Sequence, residues 1–275
     1  MISHPDARVA LAAARAGAAA LAPFLRQRAA AERKDDGSPV TEADRAASRA
    51  ALAVLEAEVP RDALISEEAP PPEGWAAARR RWFVDPLDGT REYVAGIPEF
   101  VVMIGLVEEG RPTVGCVLDP TAGRAWLGVV GEGAWAVEPD GAVRPLRAAR
   151  RAALAGAREV VSRFHEPPDL PAWAAAAGIA DRRPCGSMGL KAARIAEDQA
   201  DLHLRPRGRC AYWDSAGPVA LLVAAGGEAG DGRGRPLRYD DPSLAHEGLL
   251  ICAGGLLAPV AASFAGWAAS TEGGA

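Results

Sequence analysis

Apolar residues recur at helical spacing through an Ala-rich stretch over residues 5–31, where Val9, Ala13, Ala16, Ala20, Phe24 and Leu25 share one side. A second helical pattern runs from Glu42 to Val59 with Ala43, Ala47, Ala50, Val54 and Leu55 inward. Thr41 precedes it as an N-cap, and Asp44 falls in its first turn. Strand-like runs follow at Ala63–Ser66, Arg81–Val84, Phe100–Val107, Thr113–Leu118, Arg124–Val130 and Ala134–Val137. Glu-Gly and Ala-Gly turns punctuate them, which predicts an antiparallel meander. Beyond a basic, Ala-rich stretch at 147–158, strands at Glu159–Ser162 and Asp201–Leu204 alternate with helices at Pro171–Ala177, Leu190–Glu197 and Asp214–Ala225. That alternation reads as α/β. The pattern predicts an N-terminal α+β domain over 1–147 with an antiparallel sheet, and a C-terminal α/β domain over 148–275. The last ten or so residues are small and polar, and are expected to fray.

Composition narrows the function without naming it. With 275 residues, 49% hydrophobic and 24% charged, the chain can bury a core without disulfides or a structural metal. A net charge of -5 argues against a nucleic-acid polymer as partner, yet leaves room for a small anion, because bound divalent cations invert local charge. Cys116, Cys185, Cys210 and Cys252 form no C-x-x-C pair and read as small buried hydrophobes in a reducing compartment. Neither a leader pattern nor a membrane-length apolar run is seen, so a cytoplasmic protein is expected. Lys34 and Lys191 are the only lysines among 31 basic residues. In so Arg-biased a chain, a retained lysine points to a place where a compact ammonium matters.

The chemistry concentrates in Asp85-Pro86-Leu87-Asp88-Gly89-Thr90, directly after a strand. Asp85 ends the strand and Asp88 lies across a turn set by Pro86 and Gly89, so two carboxylates can converge on one point. The N–H groups of Gly89 and Thr90 then open the next segment, where they can bind a phosphate oxygen. Asp-Pro and Asp-Gly are also ordinary turn pairs. Four other fragments turn the balance: Ser66-Glu67-Glu68 after another strand, Trp213-Asp214-Ser215 opening a helix, Asp44 in the first turn of the second helix, and Gly186-Ser187-Met188-Gly189-Leu190-Lys191 at a helix start. Each alone would be capping or solvation; their order carries the weight.

Those fragments, in that order from about residue 34 to 240, resemble the inositol monophosphatase superfamily of Mg-dependent phosphatases. Within it the chain looks closest to the 3'(2'),5'-bisphosphate nucleotidases. The stretches DGSPVTEAD, LISEE, DPLDGTREY, GSMGLK and YWDSAGPVALLVAAGG carry the likeness. The resemblance implies a layered αβαβα sandwich and two or three Mg²⁺ ions. Glu67, Asp85 and the Leu87 carbonyl would hold one ion, and Asp85, Asp88 and Asp214 a second, with Glu67 also touching any third. Most of these ligands lie in the N-terminal domain; Asp214 comes from the C-terminal one. The donor set is all oxygen, as hard Mg²⁺ prefers, and paired ions about 3.5–4 Å apart would clamp an in-line displacement. In the family a Thr–Asp pair helps deprotonate the attacking water; Thr90 and Asp44 occupy those positions, with Glu67 completing the catalytic group.

On the substrate side the resemblance implies contacts from Asp88, Gly89, Thr90, Arg163, Ser187, Lys191 and Asp214. Ser187 and Lys191 would face a second phosphate, where an extra ammonium makes physical sense. The expected reaction is removal of the 3'-phosphate of adenosine 3',5'-bisphosphate. An inositol or histidinol monophosphatase stays open, because specificity lies in loops, and so, more remotely, does a non-catalytic phosphate-binding protein. Roles for Lys34 and His165 are left undecided. A homodimer also stays open, and nothing in the sequence requires one. Pro70–Arg80 departs from the family pattern and is expected to be a loop beside the third metal position.

Overall fold

The computed structural model of the chain describes residues 2–25, 32–33 and 39–272. Lys34 and most of the DGSPV stretch lie outside them. Helix α1 spans Pro5–Leu21. The helical spacing predicted through residue 31 stops at residue 21, with Pro23 two residues beyond, where a helix lacks the donor and the room to continue. The short strands β1 (Glu32–Arg33) and β2 (Pro39–Val40) pair antiparallel. Helix α2, Glu42–Glu58, opens on the predicted Thr41 cap: the Thr41 hydroxyl accepts the Ala43 N–H at 3.2 Å, and Asp44 Oδ2 accepts the Thr41 N–H at 2.7 Å.

A seven-stranded sheet follows in simple order: β3 (Ala63–Ser66), β4 (Arg80–Asp88), β5 (Val101–Glu108), β6 (Arg111–Asp119), β7 (Arg124–Val129), β8 (Gly133–Val137) and β9 (Val143–Leu146). From β4 onward it is the predicted antiparallel meander, whereas β3 pairs parallel to β4. The parallel pair needs a crossover. Residues 70–79 supply the latter part of it, pinned by the buried Trp75, which packs edge-on against Phe83 and Tyr212. Between β4 and β5 lies the short helix α3, Thr90–Ala95.

The five-stranded second sheet is built from β10 (Arg158–Ser162), β11 (Asp181–Cys185), β12 (Leu202–Ala211), β13 (Glu228–Gly230) and β14 (Ala245–Cys252), in the order β11-β10-β12-β14-β13. Its helices are α4 (Leu170–Ala176), α5 (Met188–Ala196), α6 (Tyr212–Ala224) and α7 (Leu257–Glu272). Where fraying was expected, α7 continues to Glu272, its Val260 and Phe264 buried in the core.

The layers follow from strand alternation. Val102, Ile104 and Leu106 of β5 face α1 and α2 in one apolar cluster, while Val101, Met103 and Val107 face the middle layer and second sheet in the other. A strand covered on both faces reads as a continuous apolar run, as β5 does. The order is therefore α1–α2, the large sheet, α5–α6, the small sheet, and α4–α7: an αβαβα sandwich.

Helix α6 lies directly on the large sheet. Gly105, Gly115 and Gly128 are cross-strand neighbours in β5, β6 and β7. A Cβ on Gly115 would stand 2.0 Å from the Gly217 carbonyl oxygen, and one on Gly128 2.5 Å from Leu221 Cα. This glycine row lets the helix backbone approach, which carries Asp214 at the α6 N-terminus over the end of β4.

Candidate active site

The end of β4 is irregular by construction. Pairing with β5 shifts register between Asp85 and Asp88, and Asp85 Oδ1 accepts the Leu87 N–H at 3.0 Å across that bulge. Gly89 then turns the chain with φ +96°, and a Cβ there would meet the Glu99 carbonyl oxygen at 2.7 Å. Parallel pairing of β3 with β4 sets Ser66 beside Val84, and the Glu67 N–H donates to the Val84 carbonyl at 3.1 Å. Glu67 thus stands next to Asp85. With Asp214 delivered by α6, carboxylates from three separate segments become electrostatic neighbours.

Desolvation raises the acids' pKa values, and for Asp85 and Asp214 the neighbouring carboxylates add to it. Burial pushes Asp85 well above its ordinary value, and Glu67, Asp88 and Asp214 push it further. Asp214 is raised to about 7, by burial first and then by Glu67 and Asp88. Asp88 is also raised by burial, against hydrogen bonds from Ser187 and Gly189 and the Lys191 ammonium. Each aspartate is pinned through one oxygen: Asp85 by Leu87, Asp88 Oδ2 by the Ser187 hydroxyl at 2.6 Å and the Gly189 N–H at 2.8 Å, and Asp214 Oδ2 by the Ala211 N–H at 3.2 Å. Among the described residues no three His, Cys, Asp or Glu side chains close on a single point by themselves. Hard divalent cations of the Mg²⁺ type ordinarily take one or two carboxylates and complete their shell with water and substrate phosphate. An all-oxygen donor set around the buried Asp85 fits that chemistry and not that of softer metals.

Beside the acids, the Thr90 hydroxyl donates to Asp44 Oδ1 at 3.3 Å, or to the Leu87 carbonyl at 3.1 Å. Asp44 is buried, held at its other oxygen by the Thr41 hydroxyl at 2.6 Å, and its pKa is raised chiefly by that burial. The anticipated Thr–Asp pair is therefore in contact across 46 residues of sequence.

A cleft of about 550 Å³ opens over the acids and is lined by Glu67, Asp88, Gly89, Thr90 and Asp214. Arg163, Phe164, His165, Ser187, Lys191 and Arg205 line it too. Parallel pairing of β10 and β11 puts Ser162 opposite Cys185, so both strands end at this edge and their following loops face the same space. Ser187, with φ +56°, is one of few non-glycine residues in left-handed backbone, held by its bond to Asp88 and by capping Leu190 at 3.1 Å. Lys191 is 5% exposed, and burial lowers its pKa. Among the described residues it has no ion-pair partner, and it lines the cleft. Arg163 is different: its Nη2 donates to Glu99 Oε2 at 2.7 Å. His165 lines the cleft too, its pKa lowered by burial and by Arg91, Arg205 and Lys191.

Three residues here escaped the sequence reading. His203 and Arg205 of β12 line the cleft, and their period-two spacing could have placed them on one face. Glu99, in an irregular turn between α3 and β5, gave no signal. The four cysteines are buried and free, as expected.

Fold and site together define a phosphoric monoester hydrolase. The chain belongs to the inositol monophosphatase family, whose model matches residues 3–263. It is 37% identical over 214 residues to the 3'(2'),5'-bisphosphate nucleotidase CysQ of Salmonella typhimurium, covering 75% of this chain and 82% of that protein. It is 31% identical over 267 residues to the histidinol-phosphatase of Mycobacterium tuberculosis, covering 93% of this chain and 96% of that one. The solved structure of CysQ from Bacteroides thetaiotaomicron superposes with a TM-score of 0.75 at 26% identity, over 90% of this chain and 97% of that one. No helix among the described residues is long and apolar enough to cross a membrane.

Proposed function

We propose that the protein removes the 3'-phosphate of adenosine 3',5'-bisphosphate with Mg²⁺ as its cofactor. The observation that carries the substrate is Lys191: a buried ammonium without an ion-pair partner among the described residues, in the wall of the cleft that Asp88 and Asp214 also line. Burying an unpaired charge is costly, and the second phosphate of a bisphosphate would offset that cost. The likeness to bisphosphate nucleotidases points the same way.

Glu67, Asp85 and the Leu87 carbonyl would hold one Mg²⁺, and Asp85, Asp88 and Asp214 a second. When bound, the ions supply charge neutralisation at the phosphoryl group and an easier loss of a proton from water. The chain's own residues do the rest. With its proton directed to Asp44 Oδ1, the Thr90 hydroxyl turns a lone pair toward the cleft, where it can accept a proton from the attacking water. Asp44, its pKa raised by burial, is suited to take up the proton that Thr90 passes on. Ser187 and Gly189 fix one oxygen of Asp88 and so its rotamer.

Histidinol phosphate is a second reading, favoured by a relative that matches 93% of this chain. Rates of phosphate release from adenosine 3',5'-bisphosphate, inositol 1-phosphate and histidinol phosphate separate the three. Preference for either monophosphate overturns the bisphosphate assignment. Lys191→Met supplies a finer test. It is expected to raise KM for the bisphosphate by about tenfold or more, the value of one charge-assisted hydrogen bond, while KM for a monophosphate changes much less. Equal effects on both would show that Lys191 does not contact the second phosphate.

A further inference from the structure

We infer that Glu99 is a positioning residue: its carboxylate fixes the Gly186–Ser187 turn, and through that turn the orientation of Asp88. The inference rests on the phosphatase reading and not on the choice of substrate.

Glu99 lies between α3 and β5, outside the sequence motifs, yet it ties together the loop after β10, the Gly186–Ser187 turn and helix α5. Its Oε2 accepts the Gly186 N–H at 2.7 Å and Arg163 Nη2 at 2.7 Å, and its Oε1 accepts Arg194 Nη2 at 3.3 Å. Burial alone would raise its pKa, but the bonds from Arg163 and Gly186 and the charge of Arg194 hold it below the ordinary value. The carboxylate is therefore ionised and its acceptors are engaged.

The turn it grips is the strained one. Ser187 sits at φ +56°, a conformation that persists in a residue with a side chain only where its surroundings over-determine it. Two carboxylates do so here from opposite sides. Glu99 takes the N–H just before Ser187, while Asp88 Oδ2 takes the Ser187 hydroxyl and the Gly189 N–H. Gly186 packs closely on Glu92, since a Cβ there would stand 2.5 Å from Glu92 Cγ. Without the Glu99 carboxylate the Gly186 N–H is unpartnered and Ser187 relaxes toward ordinary backbone. Its hydroxyl then leaves Asp88, whose carboxylate loses a fixed rotamer. The cost falls on turnover, because Asp88 belongs to the proposed cation set. An exposed ion pair of no consequence would behave otherwise.

The test measures kcat and KM on whichever substrate the wild type turns over fastest, together with hydrogen–deuterium exchange across residues 183–192. Glu99→Ala and Ser187→Ala should each lower kcat by about tenfold, as loss of one charged hydrogen bond implies. Because the two act along one path, the double variant should fall no more than about twofold below the worse single. Exchange at 186–189 should speed up in Glu99→Ala. Glu99→Gln, nearly isosteric and still able to accept from Gly186, should keep kcat within about threefold of wild type. Multiplicative losses in the double variant, unchanged exchange in Glu99→Ala, or a tenfold loss in Glu99→Gln would each overturn the assignment. The last outcome stands even if Glu99→Ala fails to fold.

Discussion

Asp214→Asn is expected to lower kcat by at least ~10²-fold, the scale of losing one preorganised charge at a reacting phosphoryl group, while the fold stays intact. The stability of the metal-free protein should change in the opposite sense. Asp214 lies beside Glu67 and Asp88, and its pKa is raised to about 7, by desolvation first and then by those two carboxylates. A carboxyl whose folded-state pKa exceeds its unfolded value binds a proton more readily when folded. Its contribution therefore favours the fold at low pH and is lost as pH rises from about 4 to about 7. Asparagine removes that dependence and the repulsion with it. Melting curves in chelator at pH 5 and pH 8 should show a smaller pH difference, and a higher Tm at pH 8, for Asp214→Asn than for wild type. A lower Tm at pH 8 would mean that the acids are not in mutual repulsion.

The second large effect is structural. Gly115→Val should destabilise the protein by about 3 kcal/mol or more, at the upper end for overpacking, and should lower expression of folded protein. A Cβ at Gly115 meets the Gly217 carbonyl oxygen at 2.0 Å and the Ala220 Cβ at 3.0 Å, and backbone cannot step aside as a flexible side chain can. Lifting α6 from the sheet would also move Asp214 away from Asp85, so whatever protein folds should bind Mg²⁺ more weakly than wild type. Chemical denaturation measures the first effect and Mg²⁺ titration the second. A variant as stable as wild type would contradict the close approach of helix and sheet.

What the sequence made legible follows from what the physics makes local. The Thr41–Asp44 cap, the Asp85–Thr90 turn and the apolar runs of β4 to β8 depend on neighbours within a few residues, and the structure holds them close to where pattern placed them. The glycine row was not legible, because Gly105, Gly115 and Gly128 matter only through α6, about a hundred residues away. Strand β11 was missed for another reason. Asp181-Arg182-Arg183-Pro184-Cys185 is polar and carries a proline, the composition of a protected edge strand and not of a buried one. Strand β14 and helix α7 lack the period that marks amphipathic elements. For the site, motif order brought Asp44, Glu67, Asp85, Asp88, Thr90 and Asp214 together in advance. Lys191 was marked by its rarity, and it is buried in the cleft wall. Glu99 had neither a motif nor a rarity to mark it, since its meaning lies in contacts 64 to 95 residues distant.

Phosphate release from adenosine 3',5'-bisphosphate, measured for wild type and Asp85→Asn across a Mg²⁺ titration, addresses the whole arrangement at once. Asp85 is the acid shared by both proposed ion positions, so the account predicts turnover that rises saturably with Mg²⁺ in wild type. Asp85→Asn should stay at the chelator baseline at every concentration. Equal turnover by the two proteins, or wild-type turnover unaffected by chelator, would contradict it.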